Sequence, residues 1–564
     1  MFGFKTRKKM VKASATDLDS GQGEFAALRQ NIIGHDAVID GPFGARRLMY
    51  ADYVASGRSY GPIEDTIRNH VLPLYANTHT ESSATGRQST AYREQARGII
   101  ASALNAGEDD AILFCGAGCT GAIDKLIGIL RLKLPRGMVR FGIDTDIPAK
   151  DRPVVFIGPY EHHSNDVQWR ETIADVVTIA ETYDGLLCLD DLEVQLQKYK
   201  DRPVKIGSFS AGSNVTGILT DVQPIAKLLH KYDAMACFDF AASAPYEPID
   251  MNPNGGEPLD AVFISVHKFL GGPGTPGLLV VKKKWAQNKT PVIPGGGTVS
   301  YVSPCAQAYL TDTEHREEGG TPDIVGAIRA GLVFDLREKI GAKKISAAEH
   351  GFADAAIARW GAHKNIQILG SKTADRLPVF SFLIRSGDKG DKYLHYNFVV
   401  ALLNDLFGIQ ARGGCSCAGP YGHRLLDIDL ATSQEYEAVI STGVEILKPG
   451  WVRVGFNYFY SDEEAELLLR SVEWIADHGE KMLAYYGFDS TTGVWTHVDA
   501  PHRHMSDLTN PDAPISLAGV PISTQDLIAY ADQCIQKPPA CCSKPNCCVL
   551  DTTPKHLCWF SLPR

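Results

Sequence analysis

Short apolar runs alternate with amphipathic stretches through the middle of the chain. The apolar runs and the helical stretches that follow them are 111–114 and 120–134, 154–157 and 163–174, and 204–209 and 222–232. Strands that alternate with helices in this way are typical of a mainly parallel sheet covered by helices. The sequence therefore predicts an α/β fold, in which ligands bind at strand ends and helix starts.

The pattern changes after about residue 341. Helices are predicted over 345–360 and 394–406, with strands near 366–369 and 379–384, which indicates a second, smaller α/β domain. We therefore expect four parts. These are a basic N-terminal arm with a lead-in helix (1–45), a large domain (46–340), a small domain (341–485) and a C-terminal extension rich in proline and cysteine (486–564).

Composition and charge are those of a large enzyme with a small partner. The 564 residues are 44% hydrophobic, which is ample for more than one core. No stretch approaches twenty uninterrupted apolar residues, so no transmembrane helix or membrane partner is expected. The net charge of -10 argues against a nucleic-acid partner, because nucleic-acid binders carry a basic excess.

The first twelve residues are basic and contain no acid, but they lack the apolar core of a secretory signal. We expect a disordered basic arm on a cytoplasmic protein. An organellar transit peptide stays open as an alternative, although the arm has one arginine, Arg7, and Asp17, Asp19 and Glu24 follow soon after.

The thirteen cysteines do not indicate a disulfide scaffold, because seven are scattered between Cys115 and Cys417 in a chain that needs no cross-links to fold. The other six lie in the extension: Cys534, Cys541, Cys542, Cys547, Cys548 and Cys558. Adjacent pairs separated by prolines do not match the CxxC pairs of a common zinc site, so no metal is predicted. A partly disordered appendage is favoured, and a metal-binding or persulfide-relay role stays open.

Two residues indicate cofactor chemistry. Lys268 lies between a short apolar run and two glycines, and burial there would lower its pKa and make the amine a nucleophile suited to a Schiff base. Asp239 ends another apolar run, where a carboxylate can hold a pyridinium N–H. Together they indicate a pyridoxal phosphate site. The alternative is that both are ordinary solvated or paired residues at strand ends.

Further motifs accompany this pair. In chain order they are Gly118-Cys119-Thr120, Glu161-His162-His163-Ser164-Asn165, Ser213-Asn214-Val215-Thr216-Gly217, Ser265-Val266-His267-Lys268, Gly320-Thr321-Pro322, the loop Arg412-Gly413-Gly414-Cys415-Ser416-Cys417-Ala418-Gly419-Pro420, and Trp451-Val452-Arg453-Val454-Gly455. With these motifs the chain, from about Tyr50 to about Leu469, resembles the class V aminotransferase family, which includes the cysteine desulfurases and selenocysteine lyases.

The resemblance implies an aspartate-aminotransferase-type fold (fold type I) and a homodimer with active sites at its interface. The cofactor would be pyridoxal 5'-phosphate. Its phosphate would bind Gly118, Cys119 and Thr120 at a helix N-terminus, together with Ser265 and His267. Ordinary helix capping by Thr120 is the alternative there. Thr321 would approach the partner subunit's phosphate.

The other roles follow from the same resemblance. His162 would stack on the pyridine ring, and Asn214 would bond near the cofactor's phenolic oxygen or the substrate carboxylate, unless it is a turn residue. Arg453 would bind the substrate carboxylate through its planar guanidinium, unless it lies on the surface. His79 and Ala55 lie in segments that resemble substrate-side elements.

The activity that the resemblance implies is removal of sulfur from L-cysteine, or of selenium from selenocysteine, with release of L-alanine. The sulfur would be held as a persulfide on Cys417. A sulfur-acceptor protein is a possible further partner. The identity of the nucleophile stays open, because Cys415 could share the sulfur with Cys417 or form a local disulfide with it. Ala242 stands where desulfurases commonly have glutamine, and Cys119 replaces a usual alanine. The alternatives are an aminotransferase, lyase or epimerase that acts on another amino acid, and a non-catalytic sulfur carrier or scaffold.

Overall fold

A computed structural model describes residues 25–78, 80, 82–133, 147–387, 390–499, 506–536 and 554–563. Residues 1–24, which include the whole predicted basic arm, lie outside these residues, as do His79 and the tail cysteines Cys541, Cys542, Cys547 and Cys548. Within the described part of the chain, no helix has both the length and the apolar character that a membrane span requires.

A seven-stranded sheet forms the core of the large domain. Its strands in chain order are β1 (Asp110–Cys115), β2 (Val154–Ile157), β3 (Asp175–Thr178), β4 (Lys205–Ser210), β5 (Met235–Asp239), β6 (Ala261–Ser265) and β7 (Gly277–Lys282). They lie side by side in the order β1-β7-β6-β5-β4-β2-β3. All neighbours are parallel except the pairs that β7 makes with β6 and β1. Strands β2 and β5 are buried along their whole length, which explains their continuous apolar runs.

Helices cover both faces of this sheet. The helices described before residue 341 are α1 (Ala26–Gln30), α2 (Gly61–Thr66), α3 (Ala84–Ala103), α4 (Gly118–Ile129), α5 (Val167–Arg170), α6 (Leu189–Lys198), α7 (Val222–Lys231), α8 (Thr313–Glu317) and α9 (Ile324–Ile340). The helix predicted over 163–174 is wrong in extent, because only a 3-10 turn and α5 form there. The Asn165 side-chain amide donates a hydrogen bond to the Ser208 backbone carbonyl of β4, which holds this segment against the end of the sheet.

The small domain has an antiparallel sheet. Its strands are β8 (Ile366–Ile368), β9 (Val379–Ser386), β10 (Lys392–Tyr393), β11 (Arg412–Gly414) and β12 (Trp451–Gly455), in the order β8-β9-β12-β11 with β10 paired to β9. Helices α10 (Ala342–Trp360), α11 (Tyr396–Phe407), α12 (Gly419–Leu425), α13 (Leu430–Ile440) and α14 (Asp462–His478) accompany it. Trp360 packs against Phe380 and Phe382 of β9 and fixes α10 on the sheet.

Four further strand pairs are short. They are 38–39 with 46–47, 49–50 with 409–410, 299–302 with 307–309, and 486–488 with 495–497. The second pair is parallel and joins the lead-in segment to the small domain, with Met49 opposite Ile409. As a result, the residues just after Tyr50 enter the space between the two domains.

Three described segments of the C-terminal extension pack onto the small domain. The extension supplies the hairpin over 486–497, α15 (Thr524–Cys534) and the segment 554–563. Phe560 is fully buried and lies edge-on to His395, with 4.8 Å between ring centroids, and Trp559 stacks on Tyr396. A few aromatic anchors, which have no periodicity, dock these residues, whereas the predicted partly disordered appendage around Cys541–Cys548 lies outside the described residues and stays a prediction.

Replacement of Phe560 by alanine tests this docking. A fully buried phenylalanine truncated to alanine lowers the free energy of unfolding by about 3–5 kcal/mol. Urea denaturation followed by tryptophan fluorescence should show this loss for Phe560→Ala. Leu508→Ala, at a side chain that is 95% exposed in the same extension, is the control and should change little. Equal stability of the two variants would contradict the docking.

Candidate active site

A cavity of about 170 Å³ opens between the carboxyl ends of the parallel strands and the loop that precedes α12. Eleven of the predicted site residues line it: Gly118, Cys119, Thr120, His162, Asn214, Asp239, Ser265, His267, Lys268, Cys417 and Arg453. They come from both domains and from positions more than 300 residues apart in the chain. The fold therefore brings these candidates to one place.

One wall of the cavity is a cup at the start of α4. Gly118 has a φ of +53°, and a Cβ there would lie 2.7 Å from both the His267 ring and the Ser265 hydroxyl, so only glycine fits. The Cys119 backbone N–H donates to Ser265 Oγ at 2.9 Å. Burial lowers the pKa of His267 to about 4, so its ring is neutral at pH 7.

The other donors of this cup are hydroxyl groups. Thr120 Oγ1 and Ser164 Oγ are 2.6 Å apart. Thr120 does not cap the helix, because Ala117 is the N-cap residue and no side chain bonds there. Hydroxyls and the free N–H groups of a helix N-terminus form a site for a dianionic group such as phosphate.

Asp239 lies at the floor of the cavity, at the end of β5. Its carboxylate accepts the Ala241 backbone N–H at 2.8 Å, and its side chain is buried. Burial raises the pKa of Asp239, because the low-dielectric interior disfavours the charge. A cationic N–H brought against this carboxylate would therefore be held strongly.

Lys268 ends a 3-10 turn (Val266–Lys268) directly after β6. The turn is held from behind by Gly57, whose N–H donates to the His267 carbonyl at 2.8 Å. A Cβ at Gly57 would lie 1.9 Å from the Phe269 carbonyl oxygen, so this close approach requires glycine. Burial lowers the pKa of Lys268, which raises the fraction of neutral, nucleophilic amine.

His162 contributes a neutral ring to the cavity wall. Its Nδ1 accepts the Ser164 backbone N–H at 3.1 Å, so the proton of the neutral ring lies on Nε2. Burial, with a further contribution from Lys268, lowers the pKa of His162 to about 3. An uncharged ring of this kind can lie against an aromatic ligand without the desolvation cost of a cation.

Glu161, which begins one of the sequence motifs but was given no role there, anchors the segment that carries His162. Its buried carboxylate accepts the Gly158 and Ser210 backbone N–H groups at 3.1 and 2.8 Å, the Ser210 hydroxyl at 2.6 Å and the Asn165 amide at 2.6 Å. Burial raises the pKa of Glu161 to about 7. The available signal was an acid placed shortly after a buried strand, next to a candidate histidine.

The loop with the predicted nucleophile is held in a strained conformation. Ser416 and Cys417 have φ values of 51° and 56°, in the left-handed region that side-chain-bearing residues seldom adopt. Asn214 donates to the Ser416 carbonyl at 2.8 Å, and the His163 N–H donates to the Cys417 carbonyl at 2.8 Å. His163 Nε2 also accepts the Gly419 N–H at 3.0 Å. These three bonds clamp the loop to the large domain.

The two cysteines of this loop face different surroundings. Cys417 is exposed and lines the cavity, whereas Cys415 packs beside the buried rings of Tyr421 and Trp451. Both thiols are free, so the local disulfide considered for this pair is not formed. The geometry favours Cys417 as the thiol that meets a ligand.

Arg453 forms the opposite end of the cavity. It is buried, donates to the Asn214 carbonyl at 3.0 Å, and forms an ion pair with Asp52 at 2.7 Å. Arg412 also lines the cavity and forms an ion pair with Asp52 at 3.1 Å. Asp52 was given no role from the sequence, and Arg412 was noted only as the first residue of the cysteine loop, because nothing in the sequence pairs an acid at position 52 with bases some 400 residues later.

Comparisons with known proteins identify the family. Residues 49–468 match the class-V aminotransferases. The chain belongs to this family. Among curated relatives, a probable cysteine desulfurase of Streptomyces coelicolor is 28% identical over 382 residues, 66% of this chain and 84% of the relative. A probable cysteine desulfurase of Halalkalibacterium halodurans is 28% identical over 393 residues, 68% of this chain and 87% of the relative.

Solved structures show the same fold. The cysteine desulfurase of Thermococcus onnurineus matches with a TM-score of 0.62 and 22% identity, over 80% of this chain and 98% of that one. A cysteine desulfurase of Escherichia coli matches with a TM-score of 0.59 and 20% identity, over 81% and 98% of the two chains. The predicted family and fold class are confirmed.

One predicted residue of this class-V aminotransferase lies outside the cavity. Thr321 is on an exposed loop, where its hydroxyl accepts the Asn77 amide at 3.0 Å, outside the cavity of its own chain. Its role toward a partner subunit stays a prediction, and His79 lies outside the described residues. Ala55 lines the cavity. Among the residues described, no group of three or more His, Cys, Asp or Glu is placed to hold a metal ion.

Alkylation rates test the different settings of the two loop cysteines. We expect iodoacetamide to modify Cys417 roughly tenfold or more faster than Cys415 in the folded, reduced protein, because access to the thiol governs the rate. Fragment-ion mass spectrometry of the shared peptide separates the two sites. Buried Cys237 and exposed Cys305 are the slow and fast internal references. Faster labelling of Cys415 would show that the loop faces the other way.

Proposed function

We propose that this protein is a pyridoxal-phosphate-dependent cysteine desulfurase. It would remove sulfur from L-cysteine, or selenium from selenocysteine, and release L-alanine. The observation that carries the proposal is that one cavity holds the amine of Lys268, the carboxylate of Asp239, the guanidinium of Arg453 and the thiol of Cys417. The names of the relatives support the same activity.

The residues present fit pyridoxal phosphate. The cup at Gly118, Thr120 and Ser265 offers N–H and hydroxyl donors to a phosphate, and a Cβ at Gly118 would fill it. Asp239 would hold the pyridinium N–H, and the neutral ring of His162 would cover one face. When bound, the cofactor withdraws electrons from the substrate's α-carbon and makes its proton acidic.

The chain's own groups would carry out the remaining steps. Arg453 binds and orients the substrate carboxylate. The Lys268 amine, whose pKa is lowered by burial, accepts the α-proton and returns a proton to the substrate. The Cys417 sulfur attacks the substrate sulfur, so that an S–S bond forms and the C–S bond breaks. Overall, the Cys417 thiol and L-cysteine give a Cys417 persulfide and L-alanine.

We also propose a homodimer, in the cytoplasm, whose persulfide passes to an acceptor protein. Apolar side chains support an interface: Ile293, Tyr301 and Val302 are 60–69% exposed in the segment just before Thr321. Monomeric proteins seldom leave several large apolar side chains exposed together. The same segment would carry Thr321 toward the partner subunit's phosphate.

One observation favours a second candidate function. Ala242 lines the cavity with a methyl group, where the family's desulfurases commonly place a glutamine that bonds the cofactor's phenolic oxygen. With that bond missing, an aminotransferase, lyase or epimerase acting on another amino acid is the alternative, and Cys417 would take no part. A non-catalytic carrier has no need of Lys268, Asp239 and Arg453 together.

Turnover of L-cysteine by two serine variants tests the proposal. Cys417→Ser should lower the rate of alanine formation by roughly 100-fold or more, because the covalent route needs the sulfur nucleophile. Cys415→Ser, two residues away and facing apolar rings, is the matched control and should retain most of the activity. Alanine formation that is indifferent to Cys417, or a wild type that makes no alanine, would contradict the proposal.

A further inference from the structure

Two arginines lie directly opposite each other at the mouth of the active site. Arg412 of β11 and Arg453 of β12 are register partners in an antiparallel pair, and both line the cavity. Like charges directly opposite on one sheet destabilise the pair. The Arg453 side chain is 3% exposed and that of Arg412 is 48% exposed, so the inner charge has little water to screen it.

Asp52 compensates this repulsion. One carboxylate oxygen accepts a hydrogen bond from Arg453 at 2.7 Å, and the other forms an ion pair with Arg412 Nε at 3.1 Å, so a single acid bridges both guanidinium groups. The strand pairing of Met49 with Ile409 and of Tyr50 with Gln410 fixes the backbone just before Asp52. The Asp52 side chain is 11% exposed, and it lies beside the cavity rather than on its lining.

The charge balance of this cluster limits what it can bind. Two guanidinium groups and one carboxylate leave one net positive charge, which suits one ligand carboxylate. A second acidic group on the ligand would approach Arg412, where it would meet a guanidinium that is already paired and the like charge of Asp52. Like-charge contact of this kind is a common means of rejecting a wrong ligand.

We propose that Asp52 is a specificity-determining residue that restricts this site to amino acids with one carboxylate. Amino acids with a second acidic group on the side chain, whether carboxylate, sulfinate or sulfonate, are rejected by Asp52 and by its hold on Arg412. The inference rests on the proposed function only in taking Arg453 as the group that binds the substrate carboxylate.

Binding of L-alanine and L-aspartate tests the inference, because the two differ only by the second carboxylate. Isothermal titration calorimetry on the full-length protein with its cofactor gives both dissociation constants. We expect wild type to prefer L-alanine. In Asp52→Asn the dissociation constant of L-aspartate divided by that of L-alanine should fall by about tenfold or more, which corresponds to about 1.4 kcal/mol in favour of L-aspartate. Asp52→Glu keeps the charge and should keep the wild-type preference.

A ratio that stays within about threefold of wild type in Asp52→Asn, with both ligands still bound, would overturn the inference, since even a modest coupling of about 1 kcal/mol exceeds that limit. In the double variant Asp52→Asn, Arg412→Gln, the gain for L-aspartate should disappear. A gain that persists would show that Arg412 is not the group released.

The exposed Arg412 supplies a test that does not depend on the folding of the Asp52 variants. Arg412→Gln alone should weaken L-alanine and L-aspartate by the same factor, because Arg412 is already engaged in wild type. A selective loss of L-aspartate would overturn the inference. Alanine formation from L-cysteine is measured separately. If alanine is formed but the ratio does not shift, the desulfurase proposal stands and the role of Asp52 is refuted. If the ratio shifts but no alanine is formed, the role of Asp52 stands and the desulfurase proposal is refuted.

Discussion

The clamp between the Cys417 loop and the large domain is the interaction on which the site depends. The loop belongs to the small domain, and two of its residues adopt left-handed backbone conformations that cost about 1–3 kcal/mol each. Three hydrogen bonds from Asn214 and His163 hold it there. Without them the loop would relax from these conformations, and the Cys417 thiol would no longer line the cavity that contains Lys268.

The same residues connect the two ends of the cavity. The side-chain amide of Asn214 donates a hydrogen bond to the loop, and its backbone carbonyl accepts one from Arg453. A residue predicted as a ligand contact is therefore also the joint between the nucleophile loop and the carboxylate site. Burial lowers the pKa of Lys268 and raises that of Asp239. Geometry and electrostatics both follow from docking one domain on the other.

The sequence predicted most of the architecture because periodicity reports buried strands and helices directly. Strands β1, β2 and β4 and helix α7 lie within one or two residues of their predicted positions. The sequence could not show what tertiary contacts decide. The pair of Asp52 with Arg453 spans 401 positions, and Phe560 is one aromatic anchor in a segment without a repeat. The prediction of a continuous helix over 163–174 is wrong because the Asn165 side chain is hydrogen-bonded to the sheet.

The central claim is that Lys268 is the lysine that holds the cofactor. Borohydride reduction of the purified protein, followed by peptide mass mapping, tests it most directly, because reduction fixes a lysine–cofactor linkage permanently. The account predicts a phosphopyridoxyl group on Lys268 and on no other lysine, and none after Lys268→Ala. A label on a different lysine, or a purified protein that carries no label even after incubation with pyridoxal phosphate, would contradict it.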